Sequence, residues 1–391
     1  MKKDNYRRIF FIGAVVLALI LACGTVFIFT TQPNRDADAA PGKLAQQSID
    51  LNKTSRFLAG LLTQQELSFL PERDRARYKK ISESITKSWN GFFAKNKNEI
   101  TAWRDVSIPE KNTARVFYPF SGPDVLHPLL FFPKADEILM FGLEPTGGIP
   151  SMDAVPQAAL VYQVESLLDA LNFVLNHSFF VTSDMSSKVK KSSLNGVAAL
   201  MCFFLGRDGY IILDAREVFI TPEGVVGYDF KNKNPGKDHV SGIEIIFMGA
   251  DQKHRRASYF QINVYNKSAQ LPRFFAMIET FNPQAAIIKS ASYLMSDKNF
   301  SSIREQVLAK SPMIIQDDSG IDYHYFKKTE WDISYFGKYH KPIPLFSHQY
   351  QKSLENDVAK YSKGPINFVY GYGYGYPDMT YHLIVARKKK P

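Results

Sequence analysis

Residues 114–145, ARVFYPFSGPDVLHPLLFFPKADEILMFGLEP, decide the fold. The apolar run 114–120 predicts a strand, and residues 121–124 predict a turn, because Gly, Pro and Asp each favour turn conformations. A short helical segment at 125–132 and a second strand at 137–142 follow. This order of strand, turn, helix and strand predicts a βαβ unit, which typically opens an α/β domain.

The remainder of the chain has a mixed pattern of helices and strands. A polar turn at 249–256 joins two predicted strands as a hairpin, which indicates an antiparallel block within the sheet. Further strands are predicted at 210–221, 225–230, 313–316, 367–374 and 380–386, and helices at 156–176, 194–205, 273–281, 284–296, 300–310 and 348–361. We therefore expect residues 114–391 to form a layered, mixed α/β domain with a mixed, partly antiparallel sheet.

A helical segment at 43–113 precedes that domain. Between Glu72 and Glu99 the apolar residues recur at spacings of three and four, which is typical of an amphipathic helix; they are Tyr78, Ile81, Ile85, Trp89 and Phe92. Such a helix would either pack on the α/β domain or stand between it and a membrane.

The N-terminus predicts a membrane location. Lys2, Lys3, Arg7 and Arg8 precede an uncharged run, 9–31, which is long enough to cross a bilayer as a helix. Basic residues stay on the cytoplasmic side, so the rest of the chain would lie outside the cytoplasm, after a linker at 32–42. We expect a single-pass anchor in a bacterial inner membrane.

Two other fates of residues 1–31 remain open at this point. Small residues at Ala37 and Ala39 have the spacing of a signal-peptide cleavage site. Cys23, in the segment ILACG, would be the attachment point if the chain were lipidated.

The net charge of +10 is concentrated at the ends of the chain. Four cations precede the apolar run, and four more form the tail 387–390. An exported protein meets no genomic DNA, so we expect no nucleic-acid partner, and we interpret the tail as a solvated segment able to touch an anionic surface. The sequence identifies no cofactor.

The first candidate site follows the first two predicted strands. Ser121, Asp124 and His127 lie at the turn after one strand, and Glu144 follows the other. The arrangement resembles the opening of a Rossmann-like nucleotide or methyl-donor site, in which the turn approaches the ligand and the acid holds a ribose hydroxyl. The turn lacks the second and third glycines of that pattern, and Pro123 removes a backbone donor. A structural turn, or a role in other chemistry, remains the alternative.

The second candidate site is Asp317 and Asp318, with His324 nearby. The two acids directly follow an apolar strand, and sites in α/β proteins commonly form at that end of a strand. Two carboxyls and a histidine can perform acid–base chemistry or bind a cation. The alternative is a turn in which an Asp caps backbone amides. No zinc motif accompanies these residues, so we predict no metal site.

The third candidate is the segment FVYGYGYGY at 368–376. If it were a strand, the aromatic side chains would share one face, because alternate residues of a strand point the same way. Tyr370, Tyr372 and Tyr374 would then form a platform for sugar rings or peptide groups. Packing of these tyrosines against a neighbouring layer is the alternative.

The motifs at 118–124, 141–145, 290–295 and 316–321 together resemble a set found in bacterial envelope or secreted proteins of unknown activity. The resemblance implies an envelope location. We therefore expect a membrane-anchored, extracytoplasmic protein that binds an envelope glycan or a protein partner.

Two other functions remain open at this stage. One is an envelope hydrolase or transferase, in which Asp317, Asp318 and His324 converge in one pocket with Asp124 and His127. The other, the least favoured, is a nucleotide- or methyl-donor-dependent transferase.

Overall fold

The computed structural model describes residues 41–109, 112–177, 196–228, 236–372 and 381–390. The predicted membrane segment, most of the predicted linker and Tyr374 lie outside these residues. Across the described ranges, the search for a helix long and apolar enough to span a bilayer found none.

The described residues form nine α-helices and ten strands. The helices are α1 Pro41–Leu58, α2 Glu72–Ser88, α3 Lys95–Ser107, α4 Leu126–Phe131, α5 Leu160–His177, α6 Val197–Arg207, α7 Leu271–Phe281, α8 Ser301–Lys310 and α9 Lys352–Tyr361. The strands are β1 Arg115–Pro119, β2 Glu137–Gly142, β3 Ile211–Ile220, β4 Val226–Gly227, β5 Ser241–Met248, β6 His254–Gln261, β7 Ala285–Ile288, β8 Met313–Gln316, β9 Trp331–Gly337 and β10 His382–Lys388. A π-helical segment, Trp89–Ala94, joins α2 to α3.

All ten strands belong to one mixed sheet with the order β4-β3-β5-β6-β2-β1-β7-β8-β10-β9. Five central strands, from β6 to β8, run parallel. Antiparallel strands extend the sheet on both sides. The expected mixed α/β fold, with β5 and β6 as an antiparallel hairpin, is therefore confirmed.

Helices cover both faces of the sheet and make two cores. In β1, Val116 and Tyr118 face the core that contains α1 to α6, whereas Phe117 faces the core of α7 to α9. Strands buried on both faces are typical of parallel sheets. The helices of residues 41–107 pack in the first of these cores: the ring of Phe57 on α1 stacks on Tyr78 of α2 at 4.9 Å. These helices thus lie directly on the sheet.

Two predicted elements are wrong. Residues 285–288, predicted as part of a helix, form β7, because this short apolar run pairs with β1 and β8 in the centre of the sheet. The helix cannot continue beyond, since Ser290, Ser292 and Tyr293 have left-handed φ angles. As far as Tyr372, the predicted strand at 367–374 has no strand structure, and Gly371 turns the chain with φ of 70°.

Strand β9 lies in a stretch where the sequence pattern predicts none. Its residues are buried only in part, as expected at the edge of a sheet. All seven pair with β10, which inserts between β8 and β9. The pairing partner thus determines this strand more than the local sequence does.

Candidate functional site

The five parallel strands end at one edge of the sheet, which we call the carboxyl edge. The chain leaves β1 towards α4 on one face and leaves β7 towards α8 on the other face. Ligands of open α/β sheets bind in the crevice where the strand order reverses in this way. Polar residues follow β1, β2, β7 and β8 at this edge, and they form two clusters.

The first cluster, which we call the compensated cluster, consists of Asp124, His127 and Lys289. Asp124 lies just before the short helix α4 and accepts a hydrogen bond from the backbone N–H of His127 at 3.3 Å. His127 Nδ1 lies 2.7 Å from Asp124 Oδ2, and Lys289 Nζ lies 3.1 Å from the same oxygen. The hydroxyl of Tyr118 donates to Asp124 at 2.9 Å. All of these side chains are buried.

Charge compensation decides the ionisation of this cluster. Burial raises the pKa of Asp124, but His127 and Lys289 together outweigh it, so the pKa lies below its ordinary value. Burial lowers the pKa of both His127 and Lys289, although Asp124 acts in the opposite direction on each. Asp124 is therefore a carboxylate held by a close lysine and by hydrogen bonding with His127.

The second cluster, which we call the acid pair, is Asp317 and Asp318 after β8. Asp317 Oδ1 accepts hydrogen bonds from the Ser319 hydroxyl at 2.7 Å and from the backbone N–H of Ser290 at 3.3 Å. Asp317 Oδ2 is buried and has no hydrogen-bond partner within the described part of the chain. Asp318 accepts a hydrogen bond from the hydroxyl of Tyr293.

Burial raises the pKa of both members of the acid pair. The negative charge of Asp317 raises the pKa of Asp318 further. Lys289 opposes the shift of Asp317 but does not overcome burial. Two coupled carboxyls of this kind retain a proton at a pH where exposed carboxyls are ionised.

A cavity that opens to solvent adjoins the acid pair, and its empty space of about 330 Å³ includes the open solvent at its mouth. The two buried acids and His382 form its floor, and Lys338, His340 and Lys341, which are more exposed, lie at its mouth. Pro342, Ile343 and five tyrosines line the rest of it; the tyrosines are Tyr293, Tyr339, Tyr370, Tyr372 and Tyr381. Polar groups that converge on a cavity in this way are typical of a ligand site.

His382 is a buried member of the cavity floor. Its Nε2 lies 3.7 Å from Asp318 Oδ1, beyond hydrogen-bond distance, and makes no hydrogen bond within the described ranges. Burial lowers the pKa of His382 to about 3, so the imidazole is neutral at physiological pH. A neutral imidazole can donate a hydrogen bond at one nitrogen and accept one at the other.

Strained backbone surrounds the two clusters. Phe120 after β1 and Ser290, Ser292 and Tyr293 after β7 have positive φ angles between 52° and 58°. Such conformations cost about 1–3 kcal/mol each and concentrate at functional sites. Hydrogen bonds from the N–H groups of 291 and 293 to Ser319 hold the second loop against the acid pair.

The structure brings four of the predicted catalytic residues to one edge. Lys289 contacts Asp124 and His127 directly and interacts electrostatically with Asp317. Tyr370 lines the cavity, and its ring lies 6.5 Å from that of His127. His324 is different: its side chain is 62% exposed, hydrogen-bonds to Asp322, and does not line the cavity. His382, and not the predicted His324, lies beside the acid pair, with its Nε2 3.7 Å from Asp318 Oδ1.

The predicted ligand residues near β1 and β2 make hydrogen bonds within the protein itself. Ser121 is buried, and its hydroxyl donates to the carbonyl of Gly122. The buried carboxyl of Glu144 accepts a hydrogen bond from Tyr259 at 3.2 Å. The start of α6 covers the chain beyond Glu144, since the N–H of Val197 donates to the Pro145 carbonyl at 3.1 Å. This geometry does not fit a ribose held by Glu144.

The tyrosines of the third candidate do not form an exposed platform in the described residues. Tyr370 is buried, and its hydroxyl donates to the carbonyl of Ile288. Tyr372 lines the cavity and donates to the carbonyl of Ser290 at 2.8 Å. The turn at Gly371 prevents the alternation that a platform requires. Packing is therefore the observed role of Tyr370.

Sequence reasoning missed Lys289, Tyr293 and His382. A lysine directly after the apolar run 285–288 was the available signal, because a charged residue at the end of a buried strand needs a partner. The prediction of a helix over this run concealed it. His382 gave no local signal, since it lies at the start of a strand whose partners are distant in sequence.

Comparison of the chain with protein-family models, with curated proteins and with solved structures gave no match. No group of three or more His, Cys, Asp or Glu residues in the described ranges could hold a metal ion. The chemistry of the site must therefore be argued from the two clusters and the cavity.

Proposed function

We propose that this protein is an envelope enzyme, a hydrolase or transferase, whose acid pair performs acid–base chemistry on a ligand in the cavity. The observation that carries the proposal is Asp317, a buried residue that lines the cavity and whose Oδ2 lacks a hydrogen-bond partner among the described residues. A buried acceptor without a donor is costly, and a ligand hydroxyl would satisfy it.

The acid pair suits proton transfer in both directions. Since burial raises the pKa of both carboxyls and the negative charge of Asp317 raises that of Asp318 further, the pair retains one proton near neutral pH. Asp317 Oδ2 would accept the proton of a substrate hydroxyl, and the protonated member of the pair would supply a proton to the leaving group. Tyr293, Ser319 and the N–H of Ser290 hold the two carboxyls in place.

Turnover of envelope glycans and sugar phosphates by the full chain, purified in detergent, tests the proposal. Asp317→Asn keeps the shape of the side chain but removes the base, so we expect turnover to fall by about 100-fold or more. Asp332→Asn is the matched control, because Asp332 is exposed and lies outside the cavity. His324→Gln is a second control. Unchanged turnover in Asp317→Asn would rule out the proposed base.

We also propose the envelope location, with the N-terminal segment as an anchor and the described domain outside the cytoplasm. The basic residues before the apolar run 9–31 support this orientation. A C-terminal alkaline phosphatase fusion, active only outside the cytoplasm, is the direct test. An inactive fusion of normal abundance would contradict the location without affecting the chemistry of the cavity.

A receptor for an envelope glycan is the second candidate function. The tyrosines of the cavity favour it, because aromatic side chains combine an apolar face with a polar group that can hydrogen-bond. Such a receptor would bind its glycan and release it unchanged. Time-resolved NMR of the bound sugar distinguishes this function from that of an enzyme.

A nucleotide- or methyl-donor-dependent transferase has support from the fold alone. Counted along the chain, the parallel strands β1, β2, β6, β7 and β8 have the order 3-2-1-4-5 of the doubly wound folds. Fold does not determine function. The hydrogen bond that Tyr259 donates to the carboxyl of Glu144 argues against a cofactor at that residue. Thermal unfolding with NAD and with S-adenosylmethionine checks this candidate.

A further inference from the structure

Two residues of the cavity floor each have a buried polar atom without a hydrogen-bond partner in the described part of the chain. Asp317, which is 2% exposed, has Oδ2 in this state, and His382, which is 7% exposed, has Nε2. His382 Nε2 lies 3.7 Å from Asp318 Oδ1. This gap is too long for a hydrogen bond between the two side chains. One ligand atom placed between them would reach both.

The acid pair has little positive charge beside it at the floor. Titratable groups that interact with the pair include Lys289, Tyr118, Tyr293, Tyr339, Tyr370 and His382. Lys289 is the buried cation of this set, and it contacts Asp124 at 3.1 Å. Its charge does not overcome the effect of burial on the pKa of Asp317. A cationic group bound beside the pair would favour the ionised form of its carboxyls.

The aromatic walls of the cavity also suit a cation. Five tyrosines line it, and the hydroxyls of Tyr293, Tyr370 and Tyr372 each donate a hydrogen bond to another group of the protein. Their rings are thus the surface that a ligand would contact, and tyrosine rings attract ammonium groups. Since no group of three or more His, Cys, Asp or Glu within the described ranges could hold a metal ion, an organic cation is favoured.

We propose that the ligand of this cavity has an ammonium group next to a hydroxyl group, the unit that amino sugars and ethanolamine headgroups share. The ammonium group lies between Asp318 and His382 and donates a hydrogen bond to each, while the adjacent hydroxyl faces Asp317. This inference rests on the proposed function, because it names the substrate class of the same site. It makes His382 a ligand-binding residue and leaves Asp317 as the base.

The exposed lysines at the mouth do not prevent this binding. Lys338 and Lys341 are exposed, so solvent and salt weaken the effect of their charge on a cation at the floor. The acid pair is buried, and charges interact more strongly there than in water. An anion at the floor would be repelled by the ionised member of the pair, whereas an ammonium group would be attracted to it.

Calorimetric titration of the full chain in detergent at pH 7 tests the proposal with glucosamine, ethanolamine, N-acetylglucosamine and glucose. N-acetylglucosamine is the matched control, because it keeps the ring and the hydroxyls of glucosamine but has no positive charge. We expect at least one of the two amines to bind about tenfold or more tightly than both neutral sugars. The preferred amine identifies the source of the ligand. Equal affinity for all four probes, or no binding of either amine, overturns the proposal.

Proton release gives a second readout of the same contact. A cation beside the acid pair favours its ionised form, so binding of either amine should release protons to the buffer. Repeating the titration in buffers of different ionisation enthalpy measures this release. N-acetylglucosamine should release none. An amine that bound without proton release would lie away from the acid pair, which contradicts the proposed position.

Asp318→Asn isolates the carboxyl that binds the ammonium group. We expect it to weaken amine binding by about tenfold or more and to leave N-acetylglucosamine unchanged. Asp332→Asn, which removes an exposed carboxyl outside the cavity, should bind as the wild type does. Unchanged affinity for the amine in Asp318→Asn overturns the assignment.

His382→Phe isolates the ring nitrogen, because phenylalanine keeps a flat ring but cannot accept a hydrogen bond. We expect amine binding to weaken by about threefold or more. His324→Phe is the matched control, since His324 is exposed and does not line the cavity. Equal affinities in the two variants would remove His382 from the site.

Asp317→Asn separates this proposal from the proposed function. If it binds the amine with little loss and no longer turns it over, both the ammonium site and the base are supported. If the wild type binds the amine selectively but never alters it, the ligand class stands and the enzymatic function fails. Turnover of neutral glycans without any preference for an amine would have the opposite meaning.

Discussion

The compensated cluster and the acid pair differ although they lie at the same edge of the same sheet. Asp124, Asp317 and Asp318 are all buried after parallel strands. The pKa of Asp124 is lowered, because His127 and Lys289 outweigh burial, while the pKa of both members of the acid pair is raised by burial. Among the described residues at this edge, Lys289 contacts Asp124 directly and acts on Asp317 through its charge.

The difference shows that proximity to a cation, rather than position in the fold, decides what a buried carboxyl can do. Asp124, with a lysine at 3.1 Å and a hydrogen bond from the N–H of His127, is a structural anion. Lys289 lowers the pKa of Asp317 but does not overcome burial, so the pKa of both members of the acid pair is raised. Uncompensated groups of this kind reduce stability and are retained where function requires them.

Removing the shared lysine should have the largest effect. In Lys289→Met the carboxylate of Asp124 stays buried without its cation, so we expect the free energy of unfolding to fall by about 4 kcal/mol. The pKa of Asp124 should rise towards the ordinary range. Urea denaturation at pH 7 measures the loss, with Lys79→Met on α2 as the surface control. A loss below about 1 kcal/mol would show that His127 alone compensates Asp124.

The wild-type contribution of Asp124 has a defined pH dependence. Because the folded-state pKa of Asp124 is lowered, its contribution is complete above the unfolded value of about 3.9 and is lost as the pH falls through the folded value. Lys289→Met should therefore lose less stability on acidification than the wild type does. The same denaturation experiment at pH 3 checks this sign.

Gly371→Ala should have the next largest effect, because it disturbs the acid pair. A Cβ at Gly371 would lie 2.1 Å from Asp317 Oδ2, at a φ of 70°. We expect a loss of about 3 kcal/mol, of which the backbone conformation explains about 1 kcal/mol. Gly209→Ala is the matched control, since Gly209 has a φ of 83° and no atom within 4 Å of the added Cβ. Equal losses in the two variants would mean that Asp317 moves aside without cost.

Neutralising one member of the acid pair should stabilise the fold. The raised pKa means that the folded chain binds protons more tightly than the unfolded chain, so this contribution is complete below about pH 3.9 and is lost as the pH rises through the folded value. Asp318→Asn should therefore exceed the wild type in stability by at least about 1.4 kcal/mol at pH 8 and match it near pH 4. Asp332→Asn, an exposed control, should show no such pH dependence. If Asp318→Asn were less stable than the wild type at pH 8, the negative charge of the acid pair would not be destabilising.

Sequence patterns predicted the parts of this edge that depend on neighbouring residues. The strand, turn and helix at 114–132 follow from local apolar and turn patterns, and they place Asp124 and His127 after β1. The short apolar run at 313–316 likewise placed the acid pair after a strand. The mixed α/β fold followed from the same signals.

The pairing within each cluster could not be predicted, because it joins residues far apart in the chain. Lys289 meets His127 across 162 positions. The strand just before it contains two alanines, which favour helices locally, and only burial between β1 and β8 makes it a strand. His324 was predicted for the site because it is near Asp318 in sequence, whereas His382 reaches Asp318 through β10.

Tyr293→Phe should have the smallest effect on stability. It tests how much hydrogen bonding contributes to the difference in pKa between Asp318 and Asp124. The Tyr293 hydroxyl donates to Asp318 and lowers its pKa against the effects of burial and of Asp317. Without it the pKa of Asp318 should rise further, while stability should fall by only about 1 kcal/mol, because a single hydrogen bond is lost. NMR titration of the Asp carboxyl carbons measures the pKa, and Tyr162→Phe, an exposed tyrosine on α5, is the control. If the pKa of Asp318 did not rise, hydrogen bonding would contribute little to the acid pair, and the contrast with Asp124 would rest on charge and burial alone.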